Sequence, residues 1–340
     1  MNATLQCFCQ IKRFIEFFKY NHRLIEIVKN DKSNLSSSFK LLIEKLWPDN
    51  YDDPNLKKYY APYEFKDKIS EMNHLFQGIA ANDAKDLVNF IIMTLHEELN
   101  KANNNQIINN NDILDQTNQQ LMFNNFVQNF MSKNQSIISD LFYAINCNIT
   151  QCGSCGKQTF NYQTYFFIVF PLEEVRKFKL QNNINNNFNI NYNIVDIKDC
   201  FDYDRKINIM SGENFMYCNY CKQTCMSSMC TALTTGPEVL ILLLNRGKGI
   251  EFNVKIIFPE NLNLYNYIQY NNVGCNYKLI GVITHIGESN MGGHFIAYCR
   301  DPLYGQWYKY NDAIVTQVID YQNEVINFAM PYLLFYQKSN

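Results

Sequence analysis

The spacing of the apolar residues changes near Asn146, and few folds accommodate both halves of the resulting pattern. Before this point apolar residues recur every three or four positions, which is typical of amphipathic helices. After it, runs rich in aromatic and β-branched residues end at Gly, Pro, Asn or Asp, which is typical of strands. A block of helices followed by a mainly antiparallel sheet predicts an α+β fold.

Two segments carry the strongest helical pattern. The first, LQCFCQIKRFIEFFKY, is predicted to be one helix whose apolar face consists of Leu5, Cys7, Phe8, Ile11, Phe14, Ile15 and Phe18. The second is NDAKDLVNFIIMTLHEELN, where Asn82 or Asp83 can cap the first turn. Its predicted apolar stripe consists of Leu87, Phe90, Ile91, Leu95 and Leu99.

Charge and hydropathy argue against several classes of protein. The formal net charge is −2, whereas proteins that bind DNA or RNA usually carry a basic excess. The longest apolar run, Val239–Leu244, has the length of a strand and not of a membrane span. The N-terminus has no signal-peptide pattern. We therefore expect a cytoplasmic and/or nuclear protein that binds neither nucleic acid nor a membrane. In such a reducing compartment, the twelve cysteines are expected to be free thiols or metal ligands and not disulfides.

Two CxxC pairs predict a metal site. They are Cys152 and Cys155 in QCGSCGK, and Cys218 and Cys221 in YCNYCKQ. Two residues between cysteines let both sulfurs face one ion, and two such turns complete a tetrahedral Cys₄ site for structural Zn²⁺. The alternative is four unliganded thiols in a metal-free finger. Cys225 and Cys230 lie nearby, and either could replace a ligand or be a bystander.

The stretch LIGVITHIGESNMGGHFIAYCRDPLYGQWYKYNDAIV contains two of the five histidines. If DPLYGQ forms a turn, His294 lies opposite Ala313, and Asn311 is its diagonal neighbour on the same face of the hairpin. Asp312 then points to the other face, unless a bulge intervenes. A histidine oriented by an asparagine forms two of the three parts of a Cys–His–Asn thiol protease site. The alternative is a hydrogen-bonded core histidine beside a turn.

These stretches resemble the ubiquitin-specific proteases, which are papain-like cysteine deubiquitinases. GVITHIGESNMGGHFIAYCRD and QWYKYND resemble the family's histidine box, and MNATLQCF resembles the second half of its cysteine box. FKDKISEMNHLFQGIAANDAKDLVNFIIMTLHEELN resembles its helical segment, and GPEVLILLLNR, FPENLNL and PYLLFYQK resemble later strands. The CxxC pairs fall where the family has zinc-bearing fingers, so the likeness covers nearly the whole chain in order.

The resemblance implies a single catalytic domain over 1–340 with a hand-like shape. A mainly helical thumb part would occupy 1–140, with an Asn-rich loop at about 101–120. The fingers and part of the palm would occupy 141–235, and the antiparallel β palm with the histidine box would occupy 236–340. The ending LNRG of one strand replaces the family's usual KRF, which we expect to alter only a local contact.

The implied activity is hydrolysis of the bond after the C-terminal glycine of ubiquitin. The partners would be ubiquitin and ubiquitinated proteins, and the chain would act as a monomer. His294 takes the place of the general base, Asn311 that of the orienting residue, and Asp312 assists in polarising the site. The implied structural Zn²⁺ would be bound by Cys152, Cys155, Cys218 and Cys221.

The family's nucleophile is followed by a tyrosine and then by the Met-Asn pair that here is Met1 and Asn2. The resemblance therefore places the nucleophile two residues ahead of Met1, so the chain as given lacks it, along with the preceding asparagine that serves the oxyanion. Cys7, on the apolar stripe, and Cys9, off the stripe but mid-helix, are predicted to be structural or incidental and not catalytic. Three functions stay open: a deubiquitinase whose sequence begins earlier, a catalytically dead ubiquitin-binding pseudoenzyme, and a zinc-stabilised interaction module unrelated to ubiquitin.

Overall fold

The computed structural model of the chain describes residues 1–21, 34–49, 59–78, 82–102, 118–183, 193–247, 253–270, 274–287, 293–327 and 330–339. The Asn-rich loop predicted at about 101–120 lies outside the described residues except at its two ends. Within the described part of the chain, no helix combines the length and the hydropathy needed to cross a bilayer.

The first part of the chain forms helices, as the spacing of its apolar residues predicts. They are α1 (Asn2–Phe8), α2 (Lys12–Tyr20), α3 (Leu35–Leu46), α4 (Tyr63–Met72), α5 (Ala84–Leu99), α6 (Gln119–Lys133) and α7 (Ile137–Phe142). In α5 the predicted stripe is buried except for Phe90, which is half-buried. Asp83 caps this helix, because its carboxylate accepts a 2.8 Å hydrogen bond from the backbone N–H of Lys85.

The helix predicted from Leu5 onward is broken into α1 and α2, so its predicted continuity is wrong, although every residue of its predicted stripe is buried. Ile11 adopts extended backbone angles at the break. The indole N–H of Trp47 donates a 2.8 Å hydrogen bond to the carbonyl of Cys9 there, and its ring packs against the core. Cys9, expected off the stripe, is therefore as fully buried as Cys7.

Strands dominate after α7. The first eight are β1 (Ala144–Cys152), β2 (Gln158–Tyr165), β3 (Ile168–Pro171), β4 (Ile194–Asp196), β5 (Asn208–Met210), β6 (Met216–Cys218), β7 (Gln223–Cys225) and β8 (Ser227–Leu233). The others are β9 (Val239–Asn245), β10 (Lys255–Ile257), β11 (Asn261–Asn263), β12 (Asn276–Ile286), β13 (His294–Arg300), β14 (Trp307–Asn311), β15 (Ile314–Gln317) and β16 (Pro331–Lys338). Two helices, α8 (Leu172–Asn183) and α9 (Ile197–Asp204), flank β4.

The largest sheet has the strand order β15–β14–β13–β12–β16–β9–β3, and β11 also pairs with β12. Its pairs are antiparallel except β3 with β9, so the predicted α+β architecture with a mainly antiparallel sheet is confirmed. A second sheet, of order β2–β1–β8–β5, and the hairpin β6–β7 lie apart from it and carry the cysteine pairs.

Strand β9 is buried on both faces, which explains its unbroken apolar sequence. Val239, Ile241 and Leu243 face the core formed with the N-terminal helices. The residues between them face a second core, formed with α8, α9 and the later loops. The large sheet therefore stands between two apolar layers.

Helix α1 packs directly on β12, β13 and β14 of this sheet. The ring of Phe8 lies 5.9 Å from that of Phe335, and the sulfurs of Cys7 and Cys299 lie 3.7 Å apart. At the start of α1, the amide of Asn2 donates a 2.9 Å hydrogen bond to the backbone carbonyl of Asp312. This packing places the beginning of α1 beside the ends of β13 and β14.

Candidate active site and metal centre

The hairpin β13–β14 has the register that a turn in DPLYGQ predicts. The pairing runs from Arg300 with Trp307 to Ala297 with Tyr310, and Asp312 and Ala313 beyond β14 form the two-residue turn into β15. The carboxylate of Asp301 fixes the turn, because it accepts 2.8 Å hydrogen bonds from the two backbone N–H groups of Leu303 and Tyr304. His294, at the start of β13, therefore lies near Asn311 at the end of β14.

His294 is hydrogen bonded to Asn311, its diagonal neighbour, with 2.7 Å between Nε2 and Oδ1. An amide oxygen only accepts hydrogen bonds, so Nε2 of the neutral imidazole carries the proton and Nδ1 keeps its lone pair. The side chain of His294 is 44% exposed, so the ring borders solvent. The pair can orient a base and offer one ring nitrogen to an incoming proton.

Asp312 also lies near the histidine, with its Oδ2 3.6 Å from Nε2 of His294. Asp312 is predicted to point to the other face unless a bulge intervenes, and a turn does intervene here. Asp312 is the first residue of the turn between β14 and β15, with a left-handed φ of 50°, so the alternation of side chains along β14 ends before it. Its carboxylate is 71% exposed, so solvent screens its charge.

A cleft of about 430 Å³ opens beside the histidine. Its walls come from the starts of α1 and α5 and from β12 and β13, and include Met1, Asn2, Asp83, His285, Gly293 and His294. All twelve cysteines lie among the described residues, and none of them lines this cleft. The nearest in sequence to its α1 wall, Cys7 and Cys9, are buried, and burial raises the pKa of the Cys9 thiol.

A row of contacts that sequence reasoning missed supports the backbone just ahead of His294. Gly293 lies against the imidazole of His285, so that a Cβ at this position would overlap the ring. That imidazole packs on the ring of Phe295 with 5.0 Å between centroids, and Phe295 packs on Tyr332 at 5.4 Å. The hydroxyl of Tyr332 donates to the carboxylate of Asp83 at 2.7–2.8 Å. Burial lowers the pKa of His285, although Asp83 acts in the opposite direction.

The four predicted zinc ligands come together as one cluster. The sulfurs of Cys152, Cys155, Cys218 and Cys221 all lie within 4.8 Å of one another. Cys152 is 3.8 Å from Cys221, and Cys155 is 3.7 Å from Cys218. A tetrahedral ion with metal–sulfur bonds of about 2.3 Å needs sulfur–sulfur edges of about 3.8 Å. The four cysteines are therefore close enough to bind one metal ion, and their spacing fits a tetrahedral site.

A fifth sulfur lies against this cluster. Cys225 is 3.2 Å from Cys152, sulfur to sulfur, but it does not belong to the group in which every sulfur lies near every other. Cys230, the other nearby cysteine, lies on β8 opposite Ile149 and outside the cluster. Cys225 and Cys230 were both considered as possible replacements for a ligand, and Cys225 alone of these two contacts the cluster.

Known proteins share both the sequence pattern and the fold. The sequence model of the family described as ubiquitin carboxyl-terminal hydrolase matches residues 1–336. Ubiquitin carboxyl-terminal hydrolase Usp2 of Drosophila melanogaster is 22% identical over 346 residues, covering 100% of this chain and 34% of that protein. Ubiquitin carboxyl-terminal hydrolase 2 of Homo sapiens is 24% identical over 347 residues, covering 99% of this chain and 53% of that protein. The chain thus spans between a third and about half the length of these relatives.

Solved structures superpose over the whole chain. A SAGA DUB module bound to monoubiquitin matches with a TM-score of 0.69 at 20% sequence identity, covering 100% of this chain and 66% of the matched chain. A SAGA DUB module bound to ubiquitin aldehyde matches with a TM-score of 0.68, also at 20% identity, covering 100% of this chain and 67% of the matched chain. At this level of identity the likeness shows a common fold.

Proposed function

Because the chain belongs to the ubiquitin carboxyl-terminal hydrolase family, we propose that it is a cysteine-type deubiquitinase that hydrolyses the bond after the C-terminal glycine of ubiquitin. Its α+β fold is that of the ubiquitin-specific proteases. Two structural neighbours were solved with monoubiquitin and with ubiquitin aldehyde, and these ligands belong to those proteins. For this chain, ubiquitin and ubiquitinated proteins are the partners that we propose.

The observation that carries this proposal is the 2.7 Å hydrogen bond between His294 and Asn311 at the edge of the cleft. This bond fixes both the direction of the imidazole and its tautomer. The free Nδ1 can then take the proton of a thiol. A histidine that only stabilised a core would be buried, whereas His294 is 44% exposed on its side chain and lines a cleft.

In the proposed reaction His294 acts first as a base and then as an acid. It accepts the proton of the thiol, and the thiolate attacks the carbonyl carbon of the scissile bond to form a tetrahedral intermediate. His294 then gives the proton to the leaving amine, which departs and leaves an acyl-enzyme. Water hydrolyses this acyl-enzyme with the same histidine as base. Asn311 holds the ring throughout, and the exposed carboxylate of Asp312 adds a smaller stabilisation of the imidazolium.

The nucleophilic thiol is expected at the wall of the cleft that α1 forms. Met1 and Asn2 line the cleft, so a cysteine placed two residues ahead of Met1 would be next to this wall. Cys7 and Cys9 face the core, and Cys7 already lies against Cys299. We therefore propose that neither of them is the nucleophile, and that catalysis requires the cysteine that the family carries two residues ahead of the Met-Asn pair.

We propose that the ion of the cysteine cluster is Zn²⁺ with a structural role. Four thiolates suit zinc, and once all four are bound no coordination position remains for a reacting group. The ion would join β1 to the hairpin β6–β7, which come from separate parts of the chain. Binding it would stabilise these strands, while the thiol chemistry takes place at the cleft beside His294.

A three-way comparison of activity tests the proposed function. The proteins are the 340-residue chain, a chain extended ahead of Met1 by a cysteine-box segment with its cysteine two residues before Met1, and that extended chain with His294→Ala. We expect hydrolysis of a fluorogenic amide of ubiquitin's C-terminus only by the extended chain with its histidine. Melting curves of all three proteins serve as the control for folding. Equal activity of the His294→Ala protein would contradict the assigned role of this histidine.

We also propose a second function for the 340 residues on their own, which is to hold ubiquitin without cleaving it, because the cleft beside His294 and the family match over residues 1–336 do not depend on a nucleophile. Titration of labelled ubiquitin with the 340-residue chain tests this, because binding shifts the amide signals of ubiquitin. If the folded chain causes no shifts at high micromolar concentration, both ubiquitin-based functions lose support. The unrelated zinc-stabilised interaction module would then gain support.

A further inference from the structure

Cys225 makes a contact that a four-cysteine metal site does not explain. Its sulfur lies 3.2 Å from that of Cys152, which is closer than the 3.7–3.8 Å separations between paired ligands of the cluster. Cys152 is thus shared between the metal site and an additional thiol. The two cysteines are 73 positions apart in the sequence, so the contact is created by the fold.

The backbone holds these two cysteines side by side. The N–H of Gly153 donates a 2.9 Å hydrogen bond to the carbonyl of Met226, and Cys152 pairs with Ser227 in the register of β1 and β8. The approach at Gly153 is so close that a Cβ there would overlap the carbonyl oxygen of Met226. Each residue of the Gly153–Met226 contact directly adjoins one of the two cysteines. No large movement is needed to bring their sulfurs together.

We propose that Cys152 and Cys225 form a redox pair, in which oxidation by a hydroperoxide joins them in a disulfide and releases the metal ion. Cys225 is part-exposed and lies outside the four-ligand group, whereas Cys152 is buried, so peroxide reaches Cys225 first. The thiol of Cys225 reacts with hydrogen peroxide to give a sulfenic acid and one water. The thiolate of Cys152 then attacks this sulfur, and the departing hydroxide takes up a proton to form a second water.

Electrons and atoms balance in this sequence. The two sulfurs lose two electrons, hydrogen peroxide gains them, and one disulfide and two waters result. The disulfide removes Cys152 from the ligand set and leaves three thiolates, so the ion is bound more weakly. A small dithiol that reduces the disulfide restores the site. The cluster would thereby couple the metal content of this region to oxidation, independently of the cleft beside His294.

Zinc release under peroxide, measured with a chromogenic chelator, tests the proposal. The proteins are the zinc-loaded 340-residue chain, Cys225→Ser, Cys225→Ala, and the matched control Cys230→Ser, whose altered residue is a half-buried cysteine on β8 outside the cluster. We expect zinc release from the unaltered chain and the control, and release at least about tenfold slower from both Cys225 variants, because the thiol that peroxide oxidises first is gone. Release at the same rate from all four proteins would overturn the proposal. So would failure of the Cys225 variants to bind zinc, because Cys225 would then be a ligand.

The disulfide itself can be identified without any reference to activity. Trypsin places Cys152 in the peptide 134–157, Cys225 in 223–246, and Cys218 and Cys221 in 207–222. We expect a peroxide-dependent, dithiol-reversible cross-link between 134–157 and 223–246, with fragmentation locating it at Cys152. The Cys230→Ser control leaves one cysteine in the second peptide and so removes any ambiguity there. A cross-link that instead joins 134–157 to 207–222, or no cross-link at all, would contradict the proposed pair.

Discussion

Asn311→Ala, made in the extended chain that carries the nucleophile, should lower kcat/KM by about 10- to 150-fold. The amide of Asn311 accepts a 2.7 Å hydrogen bond from His294, and this bond is strengthened when the imidazole becomes charged in the transition state. Hydrogen bonds to charged groups contribute about 1.5–3 kcal/mol, and each 1.36 kcal/mol corresponds to about tenfold in rate. The variant leaves the rest of the hairpin unchanged, so its melting temperature should stay close to that of the parent.

Asp312→Ala is the matched comparison, because its carboxylate also approaches His294 but at 3.6 Å and with 71% exposure. An exposed ion pair contributes about 0–1 kcal/mol, so the expected loss in kcat/KM is at most about fivefold. Initial rates on the fluorogenic ubiquitin amide, measured well below KM, give both values directly. A larger loss from Asp312→Ala than from Asn311→Ala would refute the assignment of Asn311 as the orienting residue.

Three further predictions concern stability. Cys221→Ser should lower zinc content and melting temperature together, since a structural Cys₄ site supplies folding energy; a purified parent chain that contains no metal by elemental analysis would contradict this. Phe14→Ala should lower the free energy of unfolding, measured in urea, by about 3–5 kcal/mol, because the ring is fully buried among other aromatic rings. A loss below about 1 kcal/mol would contradict that packing. Burial lowers the pKa of His96, so the unfolded state binds more protons than the folded state. The free energy of unfolding should therefore fall as pH drops below about 6.5. Urea titrations between about pH 5 and 8 measure this fall, and His96→Gln should remove it.

Strand positions and hairpin register were accessible from the sequence, because a strand alternates with a period of two and its ends carry turn residues. The strands NYKLIGVITHI and PYLLFYQK begin and end as their patterns predict. Once DPLYGQ is taken as a turn, the neighbourhood of His294 and Asn311 follows from counting residues. The observed hydrogen bond between these two side chains shows that local rules sufficed for this pair.

Features that depend on contacts between distant segments could not be read from local patterns. The break between α1 and α2 involves Trp47, whose indole binds the carbonyl of Cys9. Asp312 has a left-handed backbone angle, and its carbonyl accepts a hydrogen bond from the amide of Asn2 at the other end of the chain, which an alternating pattern does not encode. The packing of Gly293 on His285 joins two strands across a loop. In each case tertiary structure overrides the local preference.

Covalent trapping tests most directly whether this cleft is a deubiquitinase active site. Ubiquitin carrying an electrophile in place of its C-terminal carboxylate is incubated with the extended chain, and the labelled residue is located by mass spectrometry. We predict one adduct, at the cysteine two residues ahead of Met1, and a strongly reduced yield in the His294→Ala protein. An adduct at Cys7 or Cys9, or a folded extended chain that forms none, would contradict this prediction.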